Sequence, residues 1–232
     1  MPRPSRCAAL LSLLWPFALA APVAGQSEMP AMAHAHMSFT PERAGTAADT
    51  TRAIALLKAL RQAVAPYQTL DAARAAGYVA RKSPESVKEG KLLHAGRRPG
   101  RLRDSGKFDP ATPQALLFRR AADGTMQLAG AMFVAPPLAT IEDLDAMVPL
   151  GVARWHQHMN VCVSADRSSS RRLAHATTED ACSRLGGRFR SQSRYMVHVM
   201  TDAGDDLALA FPQHPEGEGD MMSRPEAETT TH

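Results

Sequence analysis

The residues best suited to chemistry in this chain are histidines, and two of them stand close together in Trp155-His156-Gln157-His158-Met159-Asn160-Val161-Cys162-Val163. Imidazole nitrogens are ligands for Zn, Cu, Ni or Fe. The stretch reads as a strand over Arg154 to Val163, and strand side chains alternate between faces. His156, His158, Asn160 and Cys162 are then expected on one face, opposite Trp155, Gln157, Met159, Val161 and Val163. Residues at i and i+2 lie about 7 Å apart, so both rings can lean toward one ion. Zinc would hold each nitrogen at about 2.0–2.1 Å. Two imidazoles are one short of a usual protein site. His198, in the strand Tyr195 to Thr201, is the expected third ligand, on one face with Met196 and Met200. His94, in Leu92-Leu93-His94, is a fourth candidate. The metal ligands read from the sequence are therefore His156, His158, His198 and His94, with copper or zinc as the cofactor. The competing reading makes these histidines polar members of the core.

A second group, Met32, His34, His36 and Met37, offers thioethers and imidazoles in a run of small residues. Cu(I) favours that mixture, so these are accessory metal candidates. A plain spacer is the simpler reading. Other chemistries lack their residues. There is no Ser/His/Asp arrangement and no Gly-rich phosphate loop. Asp143 and Asp145 fall on an expected surface helix, and lysines are few.

The elements that must position these side chains follow from periodicity and turn residues. Thr50 to Val64 repeats Ile54, Leu57, Leu60 and Val64 at helical steps, and Pro66 ends it. Leu70 to Ala76 reads as a short helix stopped by Gly77. Residues 81–107 carry Pro, Gly and charge and read as a long loop. Ala115 to Arg119 and Met126 to Val134 read as a hairpin about Asp123-Gly124, and Ile141 to Met147 as a helix. Thr177 or Thr178 caps a helix running to Leu185, closed by Gly186-Gly187. The fold class is α+β: N-terminal helices packed on a mainly antiparallel β-sheet, a single domain with a His-lined pocket.

The N-terminus sets the compartment. Arg3 and Arg6 precede an apolar run from Ala8 to Ala20, and cleavage sites follow at Ala20 and Gly25. This is the three-part pattern of a secretory signal. The apolar run, broken by Pro16, falls short of the roughly 20 residues of a membrane span. The expected organisation is a signal peptide at 1–25, a disordered Met/His-bearing linker at 26–48, an α+β domain at 49–212 and a disordered acidic tail at 213–232. The mature protein is expected in the periplasm or secreted, with no transmembrane span.

Cleavage removes Cys7 and leaves Cys162 and Cys182. In an oxidising compartment these are expected to form a disulfide, closing a loop of about 20 residues worth roughly 3 kcal/mol. The alternative, two thiolates in a metal site, lacks a CxxC pair or a third thiolate. Formal net charge is +4, of which Arg3 and Arg6 supply two. Arg97, Arg98, Arg101, Arg103 and Lys107 form a basic stretch without interleaved aromatics. That composition fits a solvated loop and excludes a nucleic-acid partner for an exported protein.

From Ala72 onward the chain resembles a family of uncharacterised exported bacterial proteins. The resemblance is carried by the Asp71-to-Tyr78 helix end, His94, Phe108 to Phe118, Leu128 to Phe133, the Trp155-His156-Gln157-His158-Met159-Asn160-Val161-Cys162 strand, Cys182 to Phe189, and Met196-Val197-His198-Val199. It covers about 130 residues in order, within a single domain. It implies that His94, His156, His158 and His198 are family positions in one domain. It also implies a departure at Met132, where related sequences carry Glu.

The expected function is an exported protein that binds a transition metal through its histidine cluster, the metal ion being its partner. The alternatives are a metal-dependent hydrolase or oxygenase with an open coordination position, and a non-metal module that binds another envelope component.

Overall fold

The computed structural model describes residues 37–80, 82–97, 108–166, 173 and 176–213. The signal segment, Met32, His34, His36, the basic stretch beyond Arg97 and the acidic tail lie outside them. Among the described residues the architecture is α+β, with eight strands in one mainly antiparallel sheet and five α-helices. The strands are β1 (Met37–Phe39), β2 (Tyr78–Ala80), β3 (Leu92–Arg97), β4 (Ala115–Arg120), β5 (Met126–Val134), β6 (His156–Ser164), β7 (Gly187–Gln192) and β8 (Met196–Met200). Their order is β1-β6-β8-β5-β4-β3-β2, with β7 pairing β6 off this path. No helix among the described residues is long and apolar enough to cross a membrane.

Helix α1 (Ala47–Val64) begins earlier than its periodicity suggests because Thr46 and Asp49 form a capping box. The Thr46 hydroxyl accepts from the Asp49 N–H at 3.2 Å, and Asp49 accepts from the Thr46 N–H at 2.9 Å. Its buried stripe is Ala53, Leu56, Leu57, Leu60 and Val64, while Ile54, expected inside, is 54% exposed. A 3-10 turn, Ala65–Tyr67, follows at Pro66. Helix α2 (Leu70–Ala75) stops before Gly77, whose φ of 92° suits glycine. Helix α3 (Ile141–Met147) carries a second capping box, Thr140 with Asp143. Helix α4 (Glu179–Arg184) is capped by Thr178 and ends at Gly186, φ 62°. The short α5 (Leu207–Ala210) leads to the buried Phe211.

One sheet face carries the main core. Leu93, Ala95, Leu116, Phe118, Ala131, Phe133, Trp155, Val197 and Val199 share a buried cluster with the apolar stripe of α1. The opposite face carries Leu117, Ala129 and Met200, with Leu92 and Met132 packed beside them. A register shift at Leu117/Phe118 leaves Ala129 extra on β5, a bulge that bends the strand pair. At Gly130, opposite Met200, a Cβ would fall 2.2 Å from the Val199 carbonyl oxygen. Only glycine lets β5 and β8 approach so closely there.

Two readings are corrected, and one strand is added. Residues 81–107 are not all loop: Leu92–Arg97 is β3, paired with β2 and β4 through its own register of backbone bonds. Met37–Phe39, inside the segment read as linker, is β1, paired with β6 from Met37↔His158 to Phe39↔His156. The residues after Gly186 form β7, against Met159–Ser164 of β6.

Candidate functional site

Alternation across β6 is set at Trp155. Its indole is fully buried and donates to the Val148 carbonyl at 3.4 Å. Thr40 holds the backbone on both sides, accepting the Trp155 N–H at 3.1 Å and donating to the Trp155 carbonyl at 2.8 Å. With Trp155 committed to the main core, His156 and His158 face the other side. They are 2% and 4% exposed. The expected set breaks at Asn160, which has φ 52° and is exposed. A left-handed residue interrupts the pleat, so Asn160 does not join the histidines. Beyond it Cys162 belongs to a separate small cluster with Ala176 and Cys182.

Strand β8 pairs with β6 through His156↔Met196 and with β5 through Met132↔His198. The pairing places His198 diagonal to His156 on the same face. Between β7 and β8, Ser193 replaces the ladder. The His158 N–H donates to the Ser193 hydroxyl and the Ser193 N–H donates to the His158 carbonyl, both at 2.8 Å. His94 reaches the same face from β3, opposite Leu117.

All four predicted ligands therefore meet on one sheet face. The Nε2 atoms of His94 and His198 are 3.3 Å apart, with ring centroids at 5.2 Å. His156 stands edge-on to His198, centroids at 5.4 Å and planes at 88°. His158 stands edge-on to His156 at 5.8 Å and 89°. The rings form a chain, His94–His198–His156–His158. β3 and β8 are separated by β4 and β5, roughly 14 Å of strand spacing. The intervening β5 carries both the bulge at Ala129 and the bare Gly130. A contact of 3.3 Å is a hydrogen bond when one Nε2 carries the proton and the other is bare.

His94, the secondary candidate from sequence, is thus in direct contact with His198. His158 is the outlying member, in ring contact with His156. Met37 of β1 pairs with His158, whereas Met32, His34 and His36 lie outside the described residues. Among the described residues no group of three or more His, Cys, Asp or Glu side chains already has the arrangement of a metal site.

Cys162 of β6 and Cys182 of α4 form the expected disulfide, Cα–Cα 5.5 Å. A Cβ at Gly187 would fall 2.4 Å from Cys162 Sγ, so the glycine makes room for the bridge.

A feature the sequence did not announce lies elsewhere. Arg43 grips Asp49 with two bonds of 2.9 Å and also binds Asp145 at 2.6 Å. The Leu150 N–H donates to Asp145 at 2.8 Å. The Arg43 guanidinium, with the Thr46 hydroxyl and N–H, holds the Asp49 carboxyl well below the usual carboxylate range. For Asp145, burial acts upward but is outweighed by the Leu150 N–H and Arg43, and the net direction is down. Arg43, Arg52, Ile141, Glu142, Asp145, Ala146 and Leu150 line an open depression of about 600 Å³. A Cβ at Gly151 would fall 2.7 Å from an Asp49 oxygen. With its cation already shared by two carboxylates, this cluster ties α1 to α3.

No family model, curated protein or solved structure matches the chain. The resemblance drawn from the strand motifs accordingly has no matching family model beneath it.

Proposed function

We propose that this is an exported protein, periplasmic or secreted, that binds a transition metal through His94, His198 and His156, with copper or zinc as the metal. The carrying observation is the 3.3 Å between the Nε2 atoms of His94 and His198. Two nitrogens at 2.0–2.1 Å from one tetrahedral ion are separated by roughly 3.3–3.4 Å. The pair has the spacing of two ligands before any ion arrives. The His156 ring, edge-on to His198, supplies the third nitrogen by turning about its side-chain torsions. His158 and Ser193 hold the strand that carries it. On this reading the His-lined pocket is the sheet face that carries the four histidines. The buried disulfide supports export, since such bridges persist in oxidising compartments.

The test is elemental analysis of the protein purified from the cell envelope, beside His94→Ala/His198→Ala and His156→Ala/His158→Ala variants. The reading requires near-stoichiometric Cu or Zn in the parent and a large loss in both variants. Equal metal content in all three overturns it. Fractionation with N-terminal sequencing tests export: a mature end at Ala21 or Gln26 is expected, and an intact Met1 in the cytoplasm rejects it.

A further inference from the structure

Resting on that reading, we propose that the histidine cluster is a Cu(I) site, in which Met132, with Met196 and Met200 beside it, supplies thioether sulfur alongside the imidazoles of His94 and His198.

His198 has methionines along its own strand and across from it. Its same-face neighbours along β8 are Met196 and Met200, and its directly paired residue across β5 is Met132. Directly opposite residues on paired antiparallel strands bring their Cβ atoms within roughly 5 Å. Met196 is in turn paired with His156. Each of these positions on the two strands thus places a thioether next to an imidazole.

The other face of the same strands is different. There β5 and β8 carry Ala131, Phe133, Val197 and Val199 in the main core. That stretch of the two strands is packed with branched, aromatic and small groups, and the methionines flanking His198 (Met132, Met196 and Met200) lie on the histidine face. Met132 is also placed toward His94: β5 lies between β8 and β4, on the path to β3. The next residue in that row, Ala115, is small, as is Gly96 beyond it. A flexible, unbranched Met side chain can reach over them. Met200 is buried, and the partly buried Met132 packs in the same small cluster.

Thioether sulfur sorts metals. Soft sulfur ligands select Cu(I), whereas zinc sites are built from thiolate, imidazole and carboxylate. Three imidazoles alone accept either ion. Methionines around them favour the monovalent soft cation over Zn(II).

The experiment uses the full chain as exported, loaded with Cu(I) under ascorbate and titrated against a Cu(I) chelator, with a parallel Zn(II) titration. Met132→Leu and the triple Met132→Leu/Met196→Leu/Met200→Leu variant are compared with the parent. Leu and Met are close in volume, so folding is retained, checked by circular dichroism. Losing an outer-shell partner of a metal ligand costs 10–100-fold in affinity, so losing a ligand should weaken Cu(I) binding by at least about tenfold. Zn(II) affinity should hold. X-ray absorption of the Cu(I) protein should show a sulfur shell that disappears in the triple variant. A nitrogen-only copper shell, a sulfur shell that survives the triple substitution, or unchanged Cu(I) affinity overturns the inference while the histidine site stands. Failure of the parent to bind either metal overturns both.

Discussion

His94 and His198 touch through their Nε2 atoms at 3.3 Å although two strands separate β3 from β8. Their meeting ranks the four histidines in a way that spacing along the chain does not. His94 and His198 form the direct pair, His156 is one ring contact further, and His158 is at the end of the chain. Single alanine variants should follow that order. His198→Ala, which removes the ring shared by both contacts, should lose most bound metal, by about 10–100-fold in affinity or more. His158→Ala should lose least. Elemental analysis after dialysis checks it, and equal losses at His158 and His198 would reject the ranking.

Gly130→Ala should be disproportionately harmful for one methyl group. Its Cβ meets the Val199 carbonyl oxygen and Met200 backbone, which have no side-chain freedom to yield. Overpacking costs about 1–3 kcal/mol, and the upper end is expected here. A chain of this size loses roughly 2–4 °C in Tm per kcal/mol. Thermal unfolding followed by circular dichroism reads the loss. Metal binding should fall with it, because His198 rides on β8. An unchanged Tm would mean the two strands are not in that close approach.

The double variant Cys162→Ser/Cys182→Ser should separate stability from the histidine cluster. Removing the cross-link should cost about 2–4 kcal/mol. The cost falls on α4, β7 and the distal half of β6, where both sulfurs are buried. His156 lies on the other side of the Asn160 interruption. Denaturant midpoints should drop, while metal content per folded molecule is kept. Loss of metal from the folded variant would show that the bridge reaches the site.

Asp49→Asn should destabilise the protein in a pH-dependent way. The Asp49 carboxyl sits below its ordinary value in the fold, mainly through Arg43 and then Thr46. A depressed carboxylate contributes stability that is fully present above the unfolded value, about 3.9, and is lost as pH falls through the folded one. The Asn variant should therefore melt lower than the parent at pH 7 and at pH 5. The two curves should draw together below about pH 4. A difference in Tm that is constant from pH 7 to pH 2 would remove the charge from the explanation.

Much of the site is readable from the chain because strand alternation is strict. Trp155 in the core forces His156 to the opposite face, and Val197 and Val199 do the same for His198. The disulfide is readable because Cys162 and Cys182 stand on adjoining elements and are the two cysteines left once the expected signal peptide is set aside. What the sequence hides is settled at long range. Leu92–Arg97 sits among charge and glycine, and its strand identity comes from pairing with β4, which a local reading does not see. The same loss hid how near His94 comes to His198. Met37–Phe39 is three residues long and becomes a strand only against β6. Arg43 finds Asp145 across about a hundred positions, a contact with no local signature. Asn160 departs from alternation through a single left-handed residue, which Asn adopts more readily than most.

If the histidine face takes a soft cation as proposed, the bridge between Cys162 and Cys182 removes two competitors for it. A free thiolate is a stronger partner for such an ion than an imidazole or a thioether. By spending both sulfurs on each other, the described part of the chain withdraws its most aggressive ligands. On the proposed reading, the donors left to such an ion on the histidine face are imidazoles and thioethers.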